Sequence, residues 1–408
     1  MFANKYKSVI KIFHFVVPVF FLIPFVSNSK DWDVRGKSTF VLRYFLYPPM
    51  FVSQKTTSFS PSGSIEPEFV YDFTKINRFS LVPFLRLDSD DNNRTHFDIR
   101  ELSFYHFSKN WDLTVGVNKV FWGVTESLHL VDIINQTDLV EDINREKKLG
   151  QPMINLNLDQ KFGILSFFIL PGFRERTFSS KNVRLSGPVE YDIDNSLYES
   201  SKKYRNIDWA TRVTMTFNNL DIALSHFNGT SREPRLLKKN NQEKIKLVPF
   251  YDKIIQSGLE MQLTTNNALW KAELISRAGH GDRFYAFVWG FEYTFYGVQG
   301  GISDLGLLVE YLYDNRDPVL APQTFADNDI FIGFRWRKND VFDSSLLFWG
   351  SWDHKTNAGF MNLEAERRLN DFLKVEINGR FFLNIPEFDP LRYIMNDDYI
   401  EAKLNWFF

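Results

Sequence analysis

The chain has 408 residues and a formal net charge of −2, enough length for one large domain or two ordinary ones. That charge leaves no bulk electrostatic case for nucleic acid or an anionic membrane surface. The absence of cysteine removes disulfides, thiol catalysis and thiolate metal sites together and suits an oxidising compartment.

At the N-terminus, Lys5, Lys7 and Lys11 flank the apolar run IFHFVVPVFFLIPFV (12–26), and Ser27 and Ser29 supply small residues before Lys30. This is the layout of an export signal. The sequence therefore predicts a signal peptide over 1–29 and a mature chain over 30–408. A retained anchor would need about 20 apolar residues, whereas this run is 15 long and holds His14, Pro18 and Pro24.

From there on, alternation of apolar and polar residues dominates, the mark of strands with two unlike faces. Eighteen strands are predicted near 37–46, 64–74, 78–88, 95–107, 111–119, 151–160, 162–170, 208–217, 219–228, 254–264, 267–278, 282–297, 303–314, 327–337, 343–353, 357–368, 371–383 and 397–408. Sandwich strands usually run about 5–6 residues, and tilted membrane strands about 9–11; most of these are of the longer kind. Tight turns fall at 75–77, 108–110, Lys161, Asn218, 265–266, 299–303, 338–340 and 370–371. The intervening joins include long ones: 47–63, 120–150, 171–207, 229–253, 315–326 and 384–396. A secreted β-sandwich would alternate too, but it has no reason to keep this short–long phase. The expected fold class is all-β. It is a closed antiparallel transmembrane β-barrel of about eighteen strands, sixteen being the alternative, with short periplasmic turns and long extracellular loops.

Energetics choose the register. A lipid-facing Arg or Lys at the bilayer midplane costs about 2–4 kcal/mol, and a slip of one residue inverts every side chain. The polar rows must then face a water-filled lumen. They supply Lys271, Glu273, Glu292, Glu310, Arg335, Arg337, Glu364, Glu366, Arg368, Lys374, Glu376, Arg380, Glu401 and Lys403 as expected pore-lining residues. Their mixed signs do not imply selectivity for one ion charge. Pairing between cross-strand neighbours is the competing role for them.

The join 120–150 is the one long segment with helical character: Leu128, Val131, Leu139 and Ile143 are set among Glu126, His129, Asp132, Asp138, Glu141 and Asp142. Elsewhere, DSDDNNR (88–94) is rich in oxygen ligands but lacks the spacing and glycine of an EF-hand. No two histidines are spaced as in HExxH, and no cofactor or metal is expected. SHF (225–227) and GHGDR (279–283) are the only local candidates for a Ser-His or Asp-His site, and neither forms a known motif.

The last ten residues, YIEAKLNWFF, put Ala402, Leu404, Trp406 and Phe408 on one face. This resembles the C-terminal assembly signal of bacterial outer-membrane barrels. GFEYTFYGV, DLGLLVEYLYDNRD and NDIFIGFRWRKND, within 245–408, resemble stretches of large porin-like proteins. Strand number and length are similar to those of the eighteen-stranded, substrate-selective porins. The resemblance implies a place in the bacterial cell outer membrane, contact with its lipid and insertion by the barrel-assembly machinery. It also implies a small solute as ligand, a homo-oligomer as the family habit, and an inward-folded constriction loop at 120–150. The function expected is passive passage of small polar solutes, not an enzyme activity. A channel for hydrophobic or aromatic substrates is the alternative, and a barrel hydrolase of lipid or peptide a more distant one.

Overall fold

A computed structural model describes residues 32–241, 244–324, 326–387 and 389–408. The expected export signal lies outside them. Eighteen long strands close into one antiparallel sheet. In chain order they are β1 (Trp32–Phe45), β2 (Phe59–Thr74), β3 (Asn77–Asp88), β4 (His96–Phe107), β5 (Trp111–Asn118), β6 (Gln151–Gln160) and β7 (Gly163–Pro171). Then follow β10 (Ile207–Phe217), β11 (Leu220–Thr230), β14 (Lys253–Thr264), β15 (Ala268–Ala278), β16 (Phe284–Phe295), β17 (Asp304–Asp314) and β18 (Asn328–Arg337). The circuit ends with β19 (Ser345–Asp353), β20 (Gly359–Arg368), β21 (Leu373–Leu383) and β22 (Tyr399–Phe407). Closure comes from β1 against β22, in register from Lys37↔Phe407 to Phe45↔Tyr399. Closure leaves no edge strand, so the ladder groups of the overlapping stretches find partners inside the sheet, which hydrocarbon surroundings require.

The alternation foreseen in the sequence sorts the two faces. On β16, Tyr285, Phe287, Trp289, Phe291, Tyr293 and Phe295 point outward, while Phe284, Ala286, Val288 and Gly290 are buried inside. On β22, Ile400 and Leu404 are exposed outward, whereas Tyr399, Glu401 and Asn405 are buried inward. No helix among the described residues is long and apolar enough to cross a membrane; the strands form the crossing element. Phe408 completes the seam by exchanging hydrogen bonds with Gly36, at 2.8 and 3.1 Å. A Cβ at Gly36 would stand 2.7 Å from the Pro67 Cα and 2.8 Å from the Glu66 carbonyl oxygen, so the close approach of β2 requires glycine there.

Three features depart from the sequence reading. Segment 119–150 contains no helix, although its apolar spacing suggested one. Several of its backbone N–H groups go to wall carboxylates and to Asn135, while the Asp142 N–H donates to a carbonyl four residues back, at 3.4 Å, without starting a helix. The interior is also not simply water. Trp122, Val131, Ile133 and Ile134 of that segment pack on inward residues of β6, β7, β10, β11 and β14 to β18, among them Met153, Leu170, Phe227, Ile275, Leu308 and Phe331. Several inward positions there are apolar, as at Phe284, Ala286 and Val288 of β16, so alternation is weak where the segment docks. Finally, the long joins carry a second, four-stranded sheet of their own. A hairpin of β12 (Arg235–Asn241) and β13 (Lys244–Tyr251) is joined by two-residue strands β8 (Glu190–Tyr191) and β9 (Leu197–Tyr198), both parallel to β13.

Candidate channel and its inner loop

Three carboxylates on neighbouring walls hold the tip of segment 119–150. The N–H groups of Val124 and Thr125 donate to Glu273 Oε1 at 2.8 and 3.0 Å, and that of Val131 to Oε2 at 3.2 Å. Glu310 accepts from the N–H groups of Glu126 and Ser127, both at 2.8 Å. Glu260 accepts from the Gly123 N–H at 3.2 Å and from Arg212 at 2.7 Å. Hydrogen bonds to a charged acceptor are among the stronger ones, at about 1.5–3 kcal/mol each. Val131 sits against Gly258, where an added Cβ would come within 2.9 Å of its side chain. Glu273 and Glu310 thus lie on the inward row, where they bind backbone rather than solvent.

The acids of the inner loop divide into anchors and lining residues. Asp132 pairs with Lys148 at 3.1 Å, Asp138 with Arg100 at 2.7 Å, and Glu141 with Arg86 at 2.7 Å. Arg86 and Arg94 hold the Glu141 carboxyl down to about 2 against the opposing effect of burial. These three carboxylates fix the loop to itself and to β3 and β4. Glu126 instead meets Arg335 at 2.7 Å, and Asp142 lies 4.0 Å from Arg380. His129 stands beside Glu273 and packs edge-on against Phe121.

A recess of about 350 Å³ lies at the short-turn end of β1 to β4; with the loop packed on β6, β7, β10, β11 and β14 to β17, further open space remains along β18 to β22. It forms two chambers. The outer one, about 200 Å³, lies towards the long loops and the inner one, about 580 Å³, towards the short turns. Glu146, Leu347 and Glu364 line both and mark the neck between them. The inner chamber carries the expected wall charges Arg335, Arg337, Glu364, Glu366, Arg368, Lys374, Glu376, Arg380 and Lys403. Many of them are paired: Lys374 with Glu366 at 2.5 Å, Lys403 with Glu401 at 3.1 Å, and Arg380 with Glu364 at 3.2 Å. Lys271 and Glu292 lie 3.9 Å apart on the inward row beside Glu126.

At the neck, desolvation inside the barrel and the like charges of Glu364 and Asp142 push the Glu146 carboxyl above its usual range, against Lys147 and Arg380. Glu146 therefore takes up its proton at a higher pH than an ordinary glutamate. If the two chambers conduct, permeability to anions relative to cations should rise on acidification from neutral pH. Reversal potentials in a salt gradient check this, and Glu146→Gln should remove the change.

The outer chamber has a basic edge that alternation could not disclose. Arg145, Arg176, Arg277 and Arg316 line it together with Glu233. Glu233 meets Arg277 at 2.8 Å, Arg316 at 3.3 Å and Arg145 at 3.4 Å. Burial alone would raise the Glu233 carboxyl, yet these guanidinium groups hold it well below the usual range. Burial, with Arg145 nearby, pushes the Arg176 guanidinium down to about 10. Across the chamber stand Phe331, Trp349, Phe360 and Phe382. Only Arg277 continued a row already read from the sequence, two residues past Ile275 on β15; the others come from loops, where period two carries no information.

The two local motifs for hydrolysis do not assemble such a site. Ser225 faces inward and His226 outward, where His226 meets Ser257 at 2.9 Å. Among the described residues no carboxylate orients that ring. His280 is fully buried beside Asp252 at 3.6 Å, and burial, with Arg277 nearby, pushes it down to about 3. In the 88–94 turn, Asp88 is bound by Arg94 at 2.6 Å. Asp91 accepts from the N–H groups of Asn93 and Ser180 at 2.9 and 3.1 Å. Among the described residues, no group of His, Asp and Glu side chains could hold a metal ion.

A closed barrel of eighteen strands, apolar outside and with charged chambers inside, defines a transmembrane β-barrel of the outer-membrane porin type. No family model and no curated protein sequence matches the chain, but solved structures do. A BenF-like porin from Pseudomonas fluorescens Pf-5 is 10% identical with a TM-score of 0.53, over 93% of this chain and 97% of its own. OpdQ of Pseudomonas aeruginosa is 11% identical with a TM-score of 0.47, again over 93% and 97%. A Rh. blastica porin mutant is 10% identical with a TM-score of 0.43, over 92% and 100%. At such identities the likeness is one of fold, and the first of the three carries it.

Proposed function

We propose that the protein is an outer-membrane channel through which small solutes diffuse, and that its outer chamber favours compact organic acids with an apolar body. One observation carries this reading: a basic edge of Arg145, Arg176, Arg277 and Arg316 faces an aromatic wall of Phe331, Trp349, Phe360 and Phe382 across about 200 Å³. Guanidinium groups recognise carboxylates through paired, charge-assisted hydrogen bonds. The aromatic wall would take the apolar body, which brings the polar-solute and aromatic-substrate readings into one site. Below the neck, the paired charges of the inner chamber offer water-like surroundings and no deep trap. Passage then consists of sieving and weak, reversible binding, with no bond chemistry.

The same reading includes export through the signal over 1–29. It also includes insertion by the assembly machinery through the outward row of Ala402, Leu404, Trp406 and Phe408. Phe408 and Trp406 present their rings together at the closing seam, with centroids 5.7 Å apart.

The test is current block in planar bilayers by 3-phenylpropionate and by its neutral amide. The acid should interrupt the current at concentrations where the amide does not. Equal block by both, or none by the acid, would remove the anion preference.

A further inference from the structure

We infer that Glu233 is a tethered stand-in for the solute's carboxylate, occupying the arginine cradle of the outer chamber until an incoming acid displaces it. The inference rests on the acid-selective reading of that chamber and adds a specificity-determining residue to it.

Glu233 is presented to the cradle by anchors that do not involve its own carboxylate. Arg232 is locked to Asp208 at 2.6 Å and donates to the Ile134 carbonyl at 3.1 Å. The Ser231 N–H donates to the Asp252 carbonyl at 2.8 Å, and its hydroxyl donates to the Glu233 carbonyl at 2.8 Å. Glu233 therefore hangs over the chamber from a fixed backbone, with about a fifth of its side chain exposed, at 20%.

The cradle is likewise held without it. Arg277 donates to Gln256 Oε1 at 2.7 Å, and Arg316 binds Asp314 at 2.6 Å and the Pro322 carbonyl at 3.1 Å. A rotation about the Glu233 side chain would leave these guanidinium groups in place and facing the chamber. Arg176, on the same edge, reaches only Gln136 Oε1, at 3.4 Å, with no acidic partner within ion-pair distance among the described residues. The edge thus keeps room for one more anion.

A tethered group competes at an effective concentration in roughly the millimolar range or above. It weakens binding of a free carboxylate without removing the site. Conduction requires this balance, because a solute must bind well enough to enter and loosely enough to leave. A cradle of three guanidinium groups with no internal occupant would hold an acid too long.

Binding and block by 3-phenylpropionate are to be compared in the refolded native chain, Glu233→Gln and Glu233→Asp, with heat-modifiable gel migration reporting the folded barrel. Glu233→Gln should bind the acid about tenfold more tightly or better, by the loss of that competing concentration, with longer block events and no matching change for the amide. Glu233→Asp, one methylene shorter, should fall between. Unchanged or weaker affinity in the folded variants overturns the inference, and Glu233→Asp decides alone if the glutamine variant does not fold. Equal binding in native and Glu233→Gln that is lost in Arg316→Gln overturns the stand-in and leaves the acid-selective chamber. A conducting barrel that ignores the acid in every variant overturns both.

Discussion

Replacing Glu273 and Glu310 together by alanine should raise single-channel conductance by about twofold and add rapid current noise, because the tip they hold lines the outer chamber with Glu126, Ser127 and Leu128 and lining loops help set passage. The two carboxylates accept five backbone N–H bonds, from Val124, Thr125, Glu126, Ser127 and Val131. They also take the hydroxyls of Thr125 and Ser127, at 2.6 and 2.5 Å. At about 1.5–3 kcal/mol for a hydrogen bond to a charged group, the tip loses most of what fixes it. The whole loop does not leave, however. Trp122, Val131, Ile133 and Ile134 are all at most 3% exposed, and burying each contributes about 1.5–3 kcal/mol. The two substitutions leave this apolar anchor in place, so residues 123–128 swing while 130–134 stay docked. Planar-bilayer recordings check this, and native-like conductance with native-like noise would show that the tip does not border the path.

The second large effect concerns register. Ile377 faces outward near the middle of β21 and is 43% exposed. Its neighbour Glu376 faces the inner chamber, beside Lys374 at 3.6 Å. Ile377→Arg should cost about 2–4 kcal/mol of folding free energy into lipid vesicles, the penalty of a guanidinium at a lipid-facing midplane site. Glu376→Arg should cost at most about 1 kcal/mol, since it exchanges one hydrated charge for another. Folded fractions across a urea series in vesicles measure both. Equal costs, or the reverse order, would mean that the outward row does not meet lipid.

The eighteen strands were legible because each has one row for hydrocarbon and one for water, and period two reports that difference directly. The stretches near 327–337 and 371–383 show it most plainly, with Ile330, Ile332 and Phe334 set against Arg335, and Val375 and Ile377 against Lys374 and Glu376. Where the interior is apolar, as at Phe284, Ala286 and Val288 on β16, both rows look alike, and the docking surface for the inner loop was invisible. The loop itself misled for a related reason. Leu128 and Val131 have helical spacing, but the N–H groups of Ser127 and Val131 go to Glu310 and Glu273, more than a hundred residues away.

The candidate site was legible only in part. Wall charges such as Lys374, Arg380 and Lys403 follow from register. The arginine cradle does not, since Arg145, Arg176, Glu233 and Arg316 come from four different joins and meet only once the barrel has closed. Asp132, Asp138 and Glu141 were expected at a constriction because the resemblance to porins implies an inward-folded loop there; in the fold they are matched to Lys148, Arg100 and Arg86. Nothing local distinguishes such an anchor from Glu126 or Glu146, which line the chambers.

Conduction requires the two chambers joined at Glu146, Leu347 and Glu364 to form a continuous path through a lipid-embedded barrel. Single-channel recording of the refolded native chain in a planar bilayer tests it most directly. Discrete, reproducible current steps that 3-phenylpropionate interrupts are the result expected. A chain that migrates as a folded barrel and inserts into the bilayer, yet gives no steps at all, would contradict it.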